Sequence, residues 1–493
     1  MADEQIDREK DAGDDRKESG SFNTAGTASH GRVASTTSAG ESEGEEPEDR
    51  YNLVYLTMML HGIGILIPWS SFITIAVEYY VCFKLRKLTP HGGEETPYAR
   101  DFLKYLATAS QGPNLLLNML NLFLTFRGGL AARIFVCIII VCVICAITMA
   151  FIFIDTSSWI GGFFWLTMVL VVLLNAANGV YQNSLFGIAA DLPPNVTASI
   201  MIGNNLCGVF CAIVAMITRA ASTTPEASAM AYFSVSLLLV TACGFSFMLL
   251  RRSAFYQYHV NKVGKEKRKG GTSKEIQDDS DKRTTEEIFD KLSDYYEVVK
   301  TGGVQLLNVW LVLFVSLAVF PAIQAEVRPR DDFIIPKEYF ELITSFFSFG
   351  FFAMCGAMLS NWIQWPSPRF LVVATTLRLI FIPFFLACNY RPITRRWPVL
   401  IANEWAFIVG GALLAFTSGY FASLAMIYAP RVVAPSKSRS AGMLAAFFLV
   451  IGLCTGIGFT YLEAYVMENV GPLKPLQLGD ATGDMCAAFN KTA

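Results

Sequence analysis

The chain has 493 residues, 53% of them hydrophobic, with a mean hydropathy of +0.43. Only 16% are charged, against roughly a quarter in an average soluble domain, and residues 1–50 and 251–303 together hold 42 of the 80 charges. The other 390 residues are charged at about one position in ten, too few to cover a surface that meets water. That excludes an ordinary soluble enzyme, a disulfide-rich secreted domain and a nucleic-acid binder, and leaves a polytopic membrane protein.

Residues 1–50 are rich in Glu, Asp, Ser, Gly and Thr. They hold too little apolar surface to offset chain entropy and are expected to form a disordered, acidic, cytoplasmic tail. The start, MADEQIDREK, is polar and acidic rather than a signal peptide, so the first span is expected to direct insertion. Eleven apolar runs follow, at about 53–80, 102–126, 134–154, 162–189, 198–220, 229–250, 304–325, 339–362, 370–389, 400–428 and 441–466. A span needs about 20 apolar residues. Helix is the expected conformation, because hydrocarbon offers backbone groups no other partner.

The polar interruption 251–303 has a basic first half and, in its second, the amphipathic stretch TTEEIFDKLSDYYEVV. Five regions are therefore expected: a tail 1–50, a six-helix bundle 51–250, a cytoplasmic loop 251–303, a five-helix bundle 304–467 and an extracellular tail 468–493. With the N-terminus inside, the cytoplasmic connections carry the larger share of Lys and Arg, and the 12 in 251–303 supply most of it. The sequon at Asn490 then lies outside. Basic residues near 265–269, with Ser273 and Thr284 close by, point to contact with anionic lipid or a kinase.

No catalytic or metal-ligating constellation and no phosphate-binding loop is recognisable, and of four histidines only His61 lies in a span. No enzyme activity, cofactor or metal is expected. Most cysteines lie in apolar runs, where they act as small hydrophobes. The informative residues are amides within apolar helices, which cost energy unless they face a bundle interior or water. The second run contains Gln111, Asn114, Asn118 and Asn121; the fourth Asn175, Asn178, Gln182 and Asn183; the fifth Asn204 and Asn205. With Trp69 on the first run, this uncharged set suits a flat, hydrogen-bonding solute such as a nucleoside or base; amides that only glue helices together are the alternative. Arg378 sits mid-helix in ATTLRLIFIP and needs a partner or a watery cavity. Glu78, Glu404 and Glu463 fall near span ends, where burial is not required. With no acid at a helix centre, uncoupled downhill transport is the expectation.

Several segments together resemble the equilibrative nucleoside transporters (solute carrier family 29), of which this chain looks like a divergent member. They are GIGILIPWSSFITIA, YQNSLFGIAADLPPNVTASIMIGNNLCGV, FPAIQAEV, RLIFIPFFLACNYRP and SGYFASLAMIYAPRVVAPSKSRSAGMLAAFFLVIGLCTG, which lie between residues 62 and 456. The resemblance implies an all-α polytopic membrane protein with eleven transmembrane helices in a major-facilitator-like 6+5 arrangement. It implies alternating access without ion or ATP coupling, on a nucleoside or nucleobase; with no dileucine-type lysosomal signal recognisable in the tail, the plasma membrane is the expected location. Leu66, Trp69 and Gln182 match family pocket positions, Gln111 falls at another, and Arg378 matches an arginine common on the ninth helix. The family's eighth-helix Asp and Arg are replaced by Ala353 and Ala357. His61, Gln111 and Asn178 are candidates to supply the lost polar contacts. Two other readings stay open: a relative carrying a different small polar solute such as an organic cation, and a membrane receptor or scaffold that does not transport.

Overall fold

The structure is a computed structural model that describes residues 47–89, 92–123, 129–221, 224–270, 280–329, 333–392 and 394–472. The expected tail up to residue 46, Ser273 and the sequon at Asn490 lie outside them. The elements are helices α1 (Leu53–Thr74), α2 (Pro97–Phe123), α3 (Gly129–Phe153), α4 (Ile160–Ala189), α5 (Pro194–Ala220), α6 (Pro225–Leu250), α7 (Ala254–Gly270), α8 (Ser280–Val319), α9 (Lys337–Glu341), α10 (Ser348–Leu359), α11 (Leu371–Leu377), α12 (Phe381–Ala387), α13 (Glu404–Tyr428) and α14 (Ser438–Asn469). Strands β1 (Arg86–Thr89) and β2 (Gly92–Glu95) form an antiparallel hairpin between α1 and α2, which the hydropathy pattern does not show.

Helix starts follow local chemistry. Thr224 and Asn403 each accept a hydrogen bond from a first-turn backbone N–H, of Ala227 and Trp405, the usual N-cap arrangement. Pro194 and Pro225 occupy first helical positions, where a missing N–H costs nothing. α1 runs on through a π-helical turn, Ala76–Lys84, and α9 enters α10 through another, Leu342–Phe347. The amphipathic stretch before the seventh apolar run is helical, as expected, and is continuous with that run as one 40-residue helix, α8. The run 370–389 is interrupted: α11 and α12 are joined by a 3₁₀ turn at Arg378–Ile380.

Among the described residues, nine helical segments are long and apolar enough to cross a membrane; Leu371–Ala387 is apolar but shorter. α2 is 27 residues long but more polar. Apolar side chains such as Ile139, Val143, Leu173, Ile217, Leu238 and Phe245 point outward, which fits a protein whose solvent is lipid. The chain is a multi-pass, predominantly helical membrane protein.

Helices α1–α6 pack mainly on one another, α1 against α5 and α6, α4 against α2 and α3. α8 packs with α13 and α14, and α10 with α13. The two groups meet where α5 faces α10 and α13, and where α14 faces α4 and α2. Glycine permits the closest approaches: a side chain at Gly62 would strike the Ile200 carbonyl, and one at Gly419 the Ala353 carbonyl.

The ends of the bundle are tied differently. At the end where α1 begins (the proximal end), Asn361 beyond α10 donates to the Tyr55 hydroxyl at 3.2 Å, and Arg439 pairs with Asp191. At the distal end Arg391 pairs with both Glu326 and Glu468. Its hydrogen bonding to Glu326 holds the guanidinium above its ordinary pKa range. Nearby, Arg395 donates to the carbonyls of Leu386, Cys388, Tyr390, Trp397 and Pro398 and fixes the loop before α13.

Candidate functional site

Of the expected residues, Gln111 is placed by its contact on the interface between the two groups of helices. On α1, Gly62, Leu66 and Trp69 share one face by their spacing. That face meets α5 at Gly62, and Leu66 and Trp69 are half-buried along it. Beside them, Cys207 of α5 lies 3.8 Å from the Ser70 hydroxyl. Gln111 on α2 reaches across the interface: the Cys454 thiol of α14 donates to its Oε1 at 3.7 Å. On α4, Asn178 and Gln182 are one turn apart and buried. Asn178 Oδ1 has no hydrogen-bond partner among the described residues.

Unused hydrogen-bonding capacity recurs nearby. Asn114 Oδ1, Asn118 Nδ2, Asn204 Oδ1 and Ser348 Oγ are buried without a partner, on α2, α5 and α10. Buried polar atoms in folded proteins are nearly all satisfied; these four are not satisfied by the described residues.

Two expected residues sit elsewhere. His61 is wholly buried on the other side of α1, its Nδ1 2.5 Å from the Tyr181 hydroxyl and its ring edge-on to Phe247 of α6. It knits α1, α4 and α6 together. Arg378 is buried among α8 and α13: its guanidinium donates to the Val312 carbonyl at 2.7 Å, the Ser316 hydroxyl at 2.8 Å, the Leu414 carbonyl at 3.2 Å and the Thr417 hydroxyl at 3.2 Å. These acceptors are neutral, so the cation acts as a clamp across three helical segments where α11 gives way to α12.

Ala353 and Ala357 are buried in the contact with α13. Small residues there let two backbones touch: a side chain at Gly356 would meet the Phe416 carbonyl, as one at Gly419 would meet that of Ala353. The charge-free stretch of α10 thus has a packing consequence as well as a chemical one. Glu463 corrects an expectation. It lies near the end of α14 but is 4% exposed, with both carboxyl oxygens unpartnered. Hydropathy alone places it at a boundary; the loop that carries Tyr390 to Arg396 closes over that end of the helix.

Other contacts carry little sequence signal. Asp191 in the α4–α5 turn pairs with Arg439, 248 residues away. Tyr295 and Lys291, at the start of α8, donate to the Leu122 and Phe123 carbonyls at 2.8 and 3.0 Å, capping the end of α2. An acidic residue in a turn and a basic one before a span were readable; their pairing was not.

A family model described as nucleoside transporter matches residues 168–464, well over half of the chain. The chain belongs to the nucleoside transporter family. Among curated relatives, it is 29% identical to human equilibrative nucleoside transporter 2 over 456 residues, covering 85% of this chain and 99% of that protein. It is 27% identical to rat equilibrative nucleoside transporter 3, covering 84% and 89%, and 28% to human equilibrative nucleoside transporter 1, covering 85% and 98%. Among solved structures it is similar to the major facilitator proton:xylose symporter XylE, with a TM-score of 0.52, 11% identity and coverage of 85% of this chain and 91% of that one. That similarity concerns the fold, which is of major-facilitator type. Family membership covers the half of the chain that contributes Gln182, Asn204, α10 and α14 to the interface.

Proposed function

We propose that this member of the nucleoside transporter family moves nucleosides, and nucleobases with them, down their gradients by alternating access. The observation that carries the reading is Asn178: a buried amide on α4, one turn from the buried Gln182, whose Oδ1 no described residue partners. A solute that offers donors and acceptors at the edge of a flat ring satisfies such groups, and the half-buried Trp69 offers a face to stack on. Leu66, Trp69, Gln111, Asn178 and Gln182 form the proposed solute-facing set; His61 and Arg378 hold the helices that present it.

In this reading α2 and the interrupted α11–α12 segment complete eleven spans, six before the polar loop and five after it. The proximal end is cytoplasmic and the membrane is the plasma membrane. The basic residues Lys265, Lys267, Arg268 and Lys269 are proposed to meet anionic lipid; reversing their charge should change surface activity, and unchanged activity overturns that contact.

The test of the function is uptake by purified protein in liposomes of labelled uridine, adenosine and a purine base, with and without a sodium or proton gradient. Equilibration without accumulation supports the reading. No flux, or accumulation only under an ion gradient, overturns it. In the same assay Gln182→Ala should raise KM at least tenfold, the factor for losing about 1.4 kcal/mol of hydrogen bonding.

A further inference from the structure

Asn183 follows Gln182 on α4 and is wholly enclosed. It spends its whole amide on protein. Its Oδ1 accepts from Asn121 Nδ2 at 2.8 Å. Its Nδ2 donates to Asn118 Oδ1 at 2.9 Å and to the Met443 carbonyl at 2.8 Å. Asn121 is fixed in turn by Arg133, whose Nη1 donates to Asn121 Oδ1 at 2.8 Å and to its carbonyl at 3.2 Å. A buried polar chain therefore runs from Arg133 on α3 through Asn121 on α2 and Asn183 on α4 to Met443 on α14.

The last link differs from the others. Arg133, Asn121, Asn118 and Asn183 all belong to α1–α6, whereas Met443 belongs to the second group of helices. Around it the groups are in close contact: a side chain at Gly187 would meet Met443, and one at Gly442 the Phe186 carbonyl. Separation of the groups at the proximal end carries the Met443 carbonyl away from Asn183. Both atoms then need water, so that bond is broken once per opening, while the bonds within α2, α3 and α4 persist. The net contribution of one neutral hydrogen bond is small enough to be broken and remade on each cycle. The Asp191–Arg439 pair lies just past the end of α4, whose last residue is about 9 Å from Asn183 toward the proximal surface at 1.5 Å per residue, and forms an outer rung.

We infer that Asn183 is a positioning residue of the transport cycle: its hydrogen bond to the Met443 carbonyl sets how firmly the proximal mouth is closed, and its place beside Gln182 ties that closure to the solute path. The inference rests on the proposed transport function. Since the acceptor is a main-chain carbonyl, no side-chain change on α14 removes it, and the informative changes are Asn183→Ala and Asn183→Asp. The second keeps an acceptor for Asn121 and loses the donor for Met443.

Two measurements test it in the full-length protein. In proteoliposomes, the ratio of zero-trans KM for uridine entering from the distal face to that from the proximal face should rise about fivefold in both variants, the factor for about 1 kcal/mol. In inside-out vesicles without any solute, alkylation of Cys454 by a membrane-impermeant maleimide from the proximal face, read by peptide mass, should quicken by a similar factor. A residue that only supports folding lowers maximal flux and leaves the ratio and the alkylation rate alone. Unchanged values for both in either well-expressed variant overturn the inference. If the wild type moves no nucleoside yet Cys454 alkylation still quickens in the variants, the transport reading fails and the closure role of Asn183 stands.

Discussion

Asp191, in the turn between α4 and α5, receives hydrogen bonds from both Nε and Nη2 of Arg439 in the first turn of α14, the Nε bond at 2.7 Å. The Asp191 side chain is 0% exposed and that of Arg439 33%. Removing the arginine takes its cation from an enclosed carboxylate, which keeps the Ser438 hydroxyl. For a wholly buried pair that costs roughly 3–5 kcal/mol, and the solvent-facing part of Arg439 reduces it. Arg439→Gln should therefore lower the apparent melting temperature in detergent, and Asp191→Asn combined with it should recover part of the loss. A double variant no more stable than the single one contradicts the pairing.

Arg378 is expected to act on stability. Hydrogen bonds to a charged group contribute about 1.5–3 kcal/mol each, and its guanidinium makes four. Arg378→Lys keeps the charge but cannot span acceptors on α8 and α13 from one compact ammonium. Thermal unfolding should show Arg378→Lys nearly as destabilised as Arg378→Ala, with KM of the surviving protein close to wild type. A normal melting profile with a raised KM would move Arg378 into the solute path.

The α10–α13 contact gives a prediction about shape. Gly419→Ala places a methyl group against the Ala353 carbonyl, whereas nothing lies within 4 Å of the equivalent point at Gly458 on α14. Forced overpacking costs about 1–3 kcal/mol. Folded yield should fall for Gly419→Ala and hold for Gly458→Ala, as read by size-exclusion chromatography. Equal yields would show that α10 and α13 stand farther apart.

His61 separates packing from recognition in the same way. Its Nδ1 bond to Tyr181 and edge contact with Phe247 predict that His61→Ala lowers thermal stability and maximal flux together. KM for uridine should stay within about twofold, less than the tenfold that losing 1.4 kcal/mol of binding would bring. A tenfold rise in KM without loss of stability would return the histidine to the binding set.

Much of this architecture is legible in the chain. Apolar runs long enough to span mark most membrane helices, and the amides of α2, α4 and α5 are visible as polar residues in apolar surroundings. Which amide reaches α14 is not legible, because Asn183 and Gln182 are adjacent and both carry a carboxamide. A rotation of about 100° per residue turns the first onto the Met443 carbonyl. Burial of Glu463 and the neutral clamp around Arg378 escape for a related reason. Each depends on a loop or helix distant in sequence, and hydropathy reads only neighbours. The lack of charge around Ala353 and Ala357 is plain from the residues alone; the tight helix contact it accompanies needs Gly356 and Gly419 placed in space.

The most direct test of the central claim is the time course of labelled uridine in liposomes containing the purified protein, with equal salt and pH on both sides. The account predicts a rise to the external concentration and no further, slowed at subsaturating uridine by Gln182→Ala. A wild-type trace no faster than that of protein-free liposomes, or one that overshoots when a proton or sodium gradient is imposed, would contradict it.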